Sequence, residues 1–290
     1  MSKLSYKAQR YIILFSFLLI PLTLLVTFTY YPATQLFYYS FTSWDGLSPE
    51  KNWVGLGNYK EIFSSSDMFK VFGTSIYYFI GGLVQLALAL YFAVILNSKV
   101  RGKNFFKATL FLPFIMNSVA IALIFTVFFD PKGTLNSFLT LLGLEYWKQS
   151  WLGNPDLINY SLAFTSIWRY MGLNLIIFFG VLQSIPQDVY EAAKIDGASE
   201  WQQFRYITLP SIRRILELNM ILTISGAISV FEIPFIMTKG ANGSMTFVIQ
   251  TVDTAFRFSN IGLASAMAIV LLAVVVVVIS LQRILLKERD

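Results

Sequence analysis

The chain has 290 residues, of which 56% are hydrophobic and 13% charged, about half the charge of a typical soluble domain. It contains no Cys and no His, which excludes a disulfide framework, a thiolate nucleophile, an imidazole base or proton relay, and His or Cys metal ligation. The net charge of +6 comes from short basic clusters between apolar runs, a topology signal rather than a nucleic-acid footprint.

A helix crossing ~30 Å of hydrocarbon needs ~20 apolar residues. Uncharged runs of that length cover 11–31, 71–98, 108–129 and 258–282. Two more are interrupted: 157–182 holds Arg169, and 215–237 holds Glu217 and Glu232. Lys3, Lys7 and Arg10 precede the first run as in a signal peptide. The run is longer than a signal h-region and lacks a small-x-small cleavage site, so it reads as a retained anchor. The expected fold is an all-α membrane protein with six transmembrane helices.

Orientation follows the Lys and Arg residues. Lys3, Lys7, Arg10, Lys99, Arg101, Lys103, Lys107, Lys194, Arg205, Arg213, Arg214, Arg283, Lys287 and Arg289 fall on one side, fourteen in all. Seven fall on the other (Lys51, Lys60, Lys70, Lys132, Lys148, Lys239 and Arg257), and Arg169 completes the 22. This bias predicts that the N and C termini are both cytoplasmic. The external loops, Pro32–Lys70, Asp130–Asn159 and Thr238–Arg257, carry turn sequences such as Trp44-Asp45-Gly46, Asp130-Pro131-Lys132-Gly133 and Ala241-Asn242-Gly243. No internal repeat supports the construction of many secondary transporters.

The cytoplasmic segment 183–214 reads QSIPQDVYEAAKIDGASEWQQFRYITLPSIRR. Ser184 and Gln187 predict a capping box opening a helix, with Asp188 and Glu191 near its positive end. Val189, Ala192 and Ala193 form a stripe of small apolar side chains. Gly197 is placed to end the helix in the left-handed conformation. Ser199 and Gln202 repeat the capping pattern for a second short helix, with Trp201 and Phe204 on one face, and Pro210 marks the entry to the fifth span. Flanking charges keep the stripe out of lipid, so a partner protein or the chain's own membrane surface must cover it.

Glu191-Ala192-Ala193, then Gly197, then Ile207-x-Leu209-Pro210 resembles the EAA loop of bacterial binding-protein-dependent ABC importers. The resemblance implies the type I ABC importer permease fold and a coupling helix from Glu191 through Asp196 to Gly197 that docks on a cytoplasmic ATPase. Trp53-Val54-Gly55-Leu56-Gly57-Asn58-Tyr59 is similar to the first external loop of the carbohydrate branch, the maltose and glycerol-3-phosphate type. Arg101-Gly102-Lys103, Phe111-Leu112-Pro113, Asp130-Pro131-x-Gly133-x-Leu135-Asn136 and Phe231-Glu232-x-Pro234-Phe235-x-Met237-Thr238 also fit that branch. Lys239-Gly240-Ala241-Asn242-Gly243 departs from its usual Gly-Gly-Pro turn, which leaves the last external loop's shape open. The likeness covers about residues 30–285 and is to the first-subunit type of maltose permease. It divides the chain into residues 1–70, with the tail, first helix and first external loop, and a five-helix importer core, 71–285, carrying the coupling loop 183–214.

Arg169 lies near the bilayer centre, where a lipid-facing Arg costs at least ~2.5–3.5 kcal/mol. It must face the bundle or a water-filled path, with Glu232 as a candidate partner. A packing ion pair and a substrate contact both satisfy that requirement. Asn117, Ser118, Asn174, Ser225 and Ser229 offer hydrogen bonds at membrane depth, to a sugar or between helices.

The sequence holds no Gly-x-x-x-x-Gly-Lys-Ser/Thr phosphate loop and cannot bind ATP in that way; the resemblance implies that ATP and Mg sit on partner subunits, and the chain itself is expected to bind no cofactor. The resemblance implies two cytoplasmic ATPase subunits, a second homologous permease, an extracytoplasmic sugar-binding protein and a bacterial or archaeal plasma (inner) membrane. The alternatives are import of glycerol phosphate, since Arg169 could meet a phosphate, or of another non-sugar solute, and an integral membrane enzyme. Such an enzyme would have to work through carboxylates, and none cluster at a membrane boundary outside the EAA loop.

Overall fold

A computed structural model describes residues 5–98 and 100–286, without the side chains of 285 and 286; Lys3, Lys99, Lys287 and Arg289 of the basic count lie outside the described residues. Among the described residues every regular element is helical apart from one isolated bridge between Thr42 and Trp53. Five helical stretches are long and apolar enough to cross a membrane: Tyr6–Tyr39, Ser66–Asn97, Ile158–Leu182, Glu200–Thr238 and Ile261–Ile284. A sixth span exists if the bent pair Lys103–Ile115 and Ser118–Phe128 counts as one.

Three spans differ from their expected form. The first continues past Tyr31 to Tyr39 through a π-helical turn at Val26–Tyr30, because Pro32 falls at the start of a helical segment where its missing N–H is harmless. The third, read as continuous over 108–129, bends by 98°. Pro113 weakens the ladder before the bend, Met116 is extended, and the Asn117 side chain accepts the Val119 N–H at 2.8 Å to start a new helix. The fifth breaks near its C-terminal end, where Ser229 and Phe231 leave helical geometry and Glu232 opens a short helix to Thr238.

The chain groups into two compact units, one comprising residues up to 65 with 251–270 and the other 66–250 with 271 onward. In the first unit no residue of the long N-terminal helix is buried, as suits a segment whose solvent is lipid. Beyond it the Trp53–Tyr59 motif pins the chain. Asn58 is buried and donates to the carbonyls of Ser40 and Thr42, Tyr59 shares a 2.7 Å hydrogen bond with the Ser40 hydroxyl, and Trp53 stacks on Phe41. At the predicted Trp44-Asp45-Gly46 turn, the Asp45 carboxylate accepts the Ser48 and Leu47 N–H groups and the Ser48 hydroxyl. Those bonds hold its pKa below the usual carboxylate range.

In the second unit the second and fourth spans pack face to face. Leu86, Ala89, Ala93 and Leu96, at spacings of three and four, meet Leu175, Phe178, Phe179 and Leu182, with Ile212 of the fifth span completing the cluster. A second cluster joins Tyr78, Ile121, Phe125, Leu162, Ala227 and Ile233. Asn136 organises the loop after the third span: its amide donates to the carbonyls of Pro131 and Gln149, and its oxygen accepts from the Trp151 indole. The loop 239–243 turns through left-handed conformations at Lys239, Gly240, Asn242 and Gly243. It is tied down by Asn242 donating to the Leu152 carbonyl and Asn159 donating to that of Gly243.

Gly172 sets how closely the third and fourth spans approach, because a methyl group there would collide with the Leu110 carbonyl and the Phe111 Cα. Overpacking of this kind costs ~1–3 kcal/mol. Gly172→Ala should therefore lower the detergent melting temperature measured by intrinsic fluorescence. Gly180→Ala, on the same helix with open space around it, should leave it unchanged or raise it.

Candidate coupling loop and membrane cavity

The helix that carries Glu191, Ala192 and Ala193 runs from Gln187 to Ile195. Its opening differs from the expected capping box: Pro186 occupies the cap position without a side-chain bond, and the Ser184 hydroxyl donates instead to the Val181 carbonyl, within the end of the fourth span. Pro186 ends the preceding helix and presets the backbone for the next, so no serine cap forms. Asp188 in the first turn and Lys194 in the last complement the helix dipole.

The helix ends as predicted at Gly197, whose φ is +80°. Its N–H donates to Lys194 and that of Ala198 to Ala193, at 3.1 and 2.8 Å, the reciprocal pair of a Schellman motif. Glu191, Ala192 and Asp196 are exposed and Ala193 half-buried. Val189 and Ile195 are exposed beside them, Ile195 by 86%.

The predicted second capping box forms: Ser199 accepts the Gln202 N–H, and the Gln202 side chain accepts the Ser199 N–H. The helix it opens is not a short one. Glu200–Gln203 continues through a π-helical turn at Phe204–Thr208 into Leu209–Ile228 without a break. Pro210 therefore lies in a helix rather than at the entry to one, and the widened turn before it relieves the clash between its ring and the Tyr206 carbonyl. Trp201 and Phe204 stack with centroids 5.6 Å apart. Ile207 and Leu209 are half-buried, and fully buried Ile212 joins this helix to the core of spans two and four.

One side-chain bond ties the two halves of the loop together. The Tyr190 hydroxyl, on the short helix, lies 2.9 Å from Oγ1 of Thr208, at the base of the fifth span. Thr208 is buried, and Gln203 donates to the Ala198 carbonyl just after the glycine bend. Sequence reading missed Tyr190 and Thr208, because the π-helical turn that sets their separation has no marker in residue type.

The other candidate site is a cavity of ≈430 Å³ among spans two, four and five. Of the sequence-predicted polar residues, Asn174, Ser229 and Glu232 line it. Tyr78, Gln85, Ser166, Tyr170 and Thr223 also line it and were missed; Gln85, an amide within an uncharged span, was the available signal. Arg169 stands behind the wall, its Nη1 2.8 Å from Oε2 of Glu232. The Arg169 side chain is 12% exposed and that of Glu232 53%. The guanidinium lies 4.7 Å from the Tyr170 ring centroid, while its Nε is buried without a hydrogen-bond partner. Ser118 lies near the Glu232 carboxylate, and Asn117 is occupied as the helix cap at the bend. Ser225 does not line the cavity; its carbonyl accepts the Ser229 N–H where the helix ends.

Known proteins resemble this chain in sequence and in fold. Residues 85–289 match the family described as binding-protein-dependent transport system inner membrane component. The chain is 33% identical over 262 residues to the probable ABC transporter permease protein YurN of Bacillus subtilis, covering 88% of this chain and 90% of that one. It is 31% identical over 270 residues to the multiple sugar-binding transport system permease protein MsmF of Streptococcus mutans, covering 92% of each. A crystal structure of a bacterial ABC transporter involved in import of the acidic polysaccharide alginate superposes with a TM-score of 0.85 at 20% identity, covering 97% of this chain and 96% of that one. The chain is a multi-pass transport subunit, not an enzyme, and belongs to the family of binding-protein-dependent transport system inner membrane components.

Proposed function

We propose that this subunit forms half of the translocation path of an ATP-driven sugar importer. The carrying observation is the cavity at membrane depth, lined by amide and hydroxyl groups of Gln85, Asn174, Thr223 and Ser229 beside the rings of Tyr78 and Tyr170. Neutral hydrogen-bonding groups set against aromatic faces suit a polyhydroxylated cargo. The sugar-transport role in the name of the Streptococcus mutans relative supports this reading. Glycerol phosphate fits less well, because Arg169 is engaged by Glu232 and absent from the wall.

In this proposal the core 71–285 sits in the bacterial or archaeal plasma (inner) membrane with both termini cytoplasmic. It pairs with a second homologous permease, receives sugar from an extracytoplasmic binding protein and docks two ATPase subunits that hold ATP and Mg. The exposed face around Val189, Ala192 and Ile195 would seat in the ATPase, with Glu191 and Asp196 at its edge. Closure of the ATPase pair would push on the short helix, and the Tyr190–Thr208 bond would pass that displacement to the fifth span, one wall of the cavity.

Two experiments test this. Affinity purification from gently solubilised native membranes should recover an ATPase and a second permease. Both should be lost in Gly197→Pro, since proline cannot adopt the φ of +80° found there. Recovery of the folded wild-type chain alone would overturn the importer assignment.

The second concerns coupling. Removing one neutral hydrogen bond costs ~1 kcal/mol, roughly fivefold in rate. Tyr190→Phe should therefore lower uptake in proteoliposomes about fivefold, while ATP hydrolysis stimulated by the binding protein falls less. An unchanged ratio of sugar moved to ATP hydrolysed would remove Tyr190 from the coupling path.

A further inference from the structure

The wall of the cavity carries charge of one sign. Among the described residues that line it, Glu232 is the only charged side chain. The counter-charge, Arg169, is 12% exposed against 53% for Glu232 and stands outside the lining. The ion pair is thus oriented, with its carboxylate toward the cavity and its guanidinium turned to the packed interior over Tyr170.

Orientation matters because the pair sits at membrane depth, where charges interact strongly. A carboxylate bonded through one oxygen keeps lone pairs that accept from a hydroxyl or an ammonium. A carboxylate, sulfate or phosphate on the cargo would meet a like charge. The guanidinium that would answer such an anion already donates from Nη1 to Glu232 at 2.8 Å and stands outside the lining. The remaining polar wall is neutral: the Tyr78 hydroxyl, buried without a hydrogen-bond partner, and the side chains of Gln85, Asn174, Thr223 and Ser229.

We infer that this cavity selects saccharides without acidic groups, neutral or amine-bearing, and that Glu232 is the residue that rejects acidic ones, with Arg169 as its positioning residue. The inference rests on the proposed sugar-import reading of the same cavity and adds the sign of the cargo's charge.

The test measures direct binding to the assembled detergent-solubilised transporter without its binding protein, so that only the membrane path selects. Calorimetry with millimolar panels of neutral, amino and uronic disaccharides should show at least about tenfold weaker binding of the uronic set, the effect of a like charge that faces the cargo while its counter-charge faces away. Glu232→Gln should narrow that gap and Arg169→Met should widen it. Because either single change strands a charge, the double variant Arg169→Met/Glu232→Gln serves as the uncharged reference. It should bind uronic and neutral disaccharides within about threefold of each other. Wild-type binding of uronic disaccharides as tight as neutral ones, or a gap unchanged in the double variant, would overturn the charge rule and leave the sugar path standing. Failure of every disaccharide to bind wild type would overturn the cavity reading itself, and the charge rule with it.

Discussion

A charge at membrane depth must be paired or reach water, and the contact between Arg169 and Glu232 answers that demand in a way that shapes the surrounding fold. The two residues are 63 positions apart, one in the middle of the fourth span and one at the start of the helix beyond the break in the fifth. Just before Glu232 the fifth span leaves helical geometry at Ser229 and Phe231, and Glu232 opens the next short helix. That interruption frees backbone groups. In hydrocarbon such groups would be costly; here the Val230 carbonyl accepts the Thr246 hydroxyl, and the gap lines a polar cavity. The ion pair, the broken helix and the cavity therefore meet in one place.

The third span shows the same economy. Pro113 and the extended Met116 cost helical bonds, and Asn117 restores one by capping the next segment. Ser118, the first residue after the bend, lies near the Glu232 carboxylate. Gly172 then lets the inner half of that span lie against the fourth at backbone distance. Polar residues that could have served cargo are thus divided by geometry: Asn117 is consumed in capping, whereas Asn174 and Ser229 face open space.

Much of this was legible in residue order. Apolar run length located every span, since hydrocarbon thickness leaves little freedom, and Gly197 announced its left-handed conformation because few other residues adopt one cheaply. The Ser199–Gln202 capping box was readable because it is local. The failures were non-local or concerned how helices continue. Ser184 and Gln187 have the spacing of a capping box, yet Pro186 already fixes the backbone between them. Pro210 suggests a helix entry and Pro32 the start of a loop, but π-helical turns carry the helix past both. The wall residues Tyr78, Gly82 and Gln85 share one face of the second span; only packing against two other spans distinguishes that face from its lipid-facing neighbours.

The loop and the cavity share the fifth span, and that sharing has a mechanical consequence. Leu209–Ile228 is a continuous helix, so a displacement at Thr208 is delivered to Thr223 and Gly226 on the cavity wall with little loss along the way. Near its N-terminal end Ile212 is packed in the core with spans two and four; at its C-terminal end the helix stops at Ser229. A rod that pivots near one end moves most at the other. In the proposed coupling, motion entering at Thr208 would therefore be largest at the break beside the Arg169–Glu232 pair, next to the cavity.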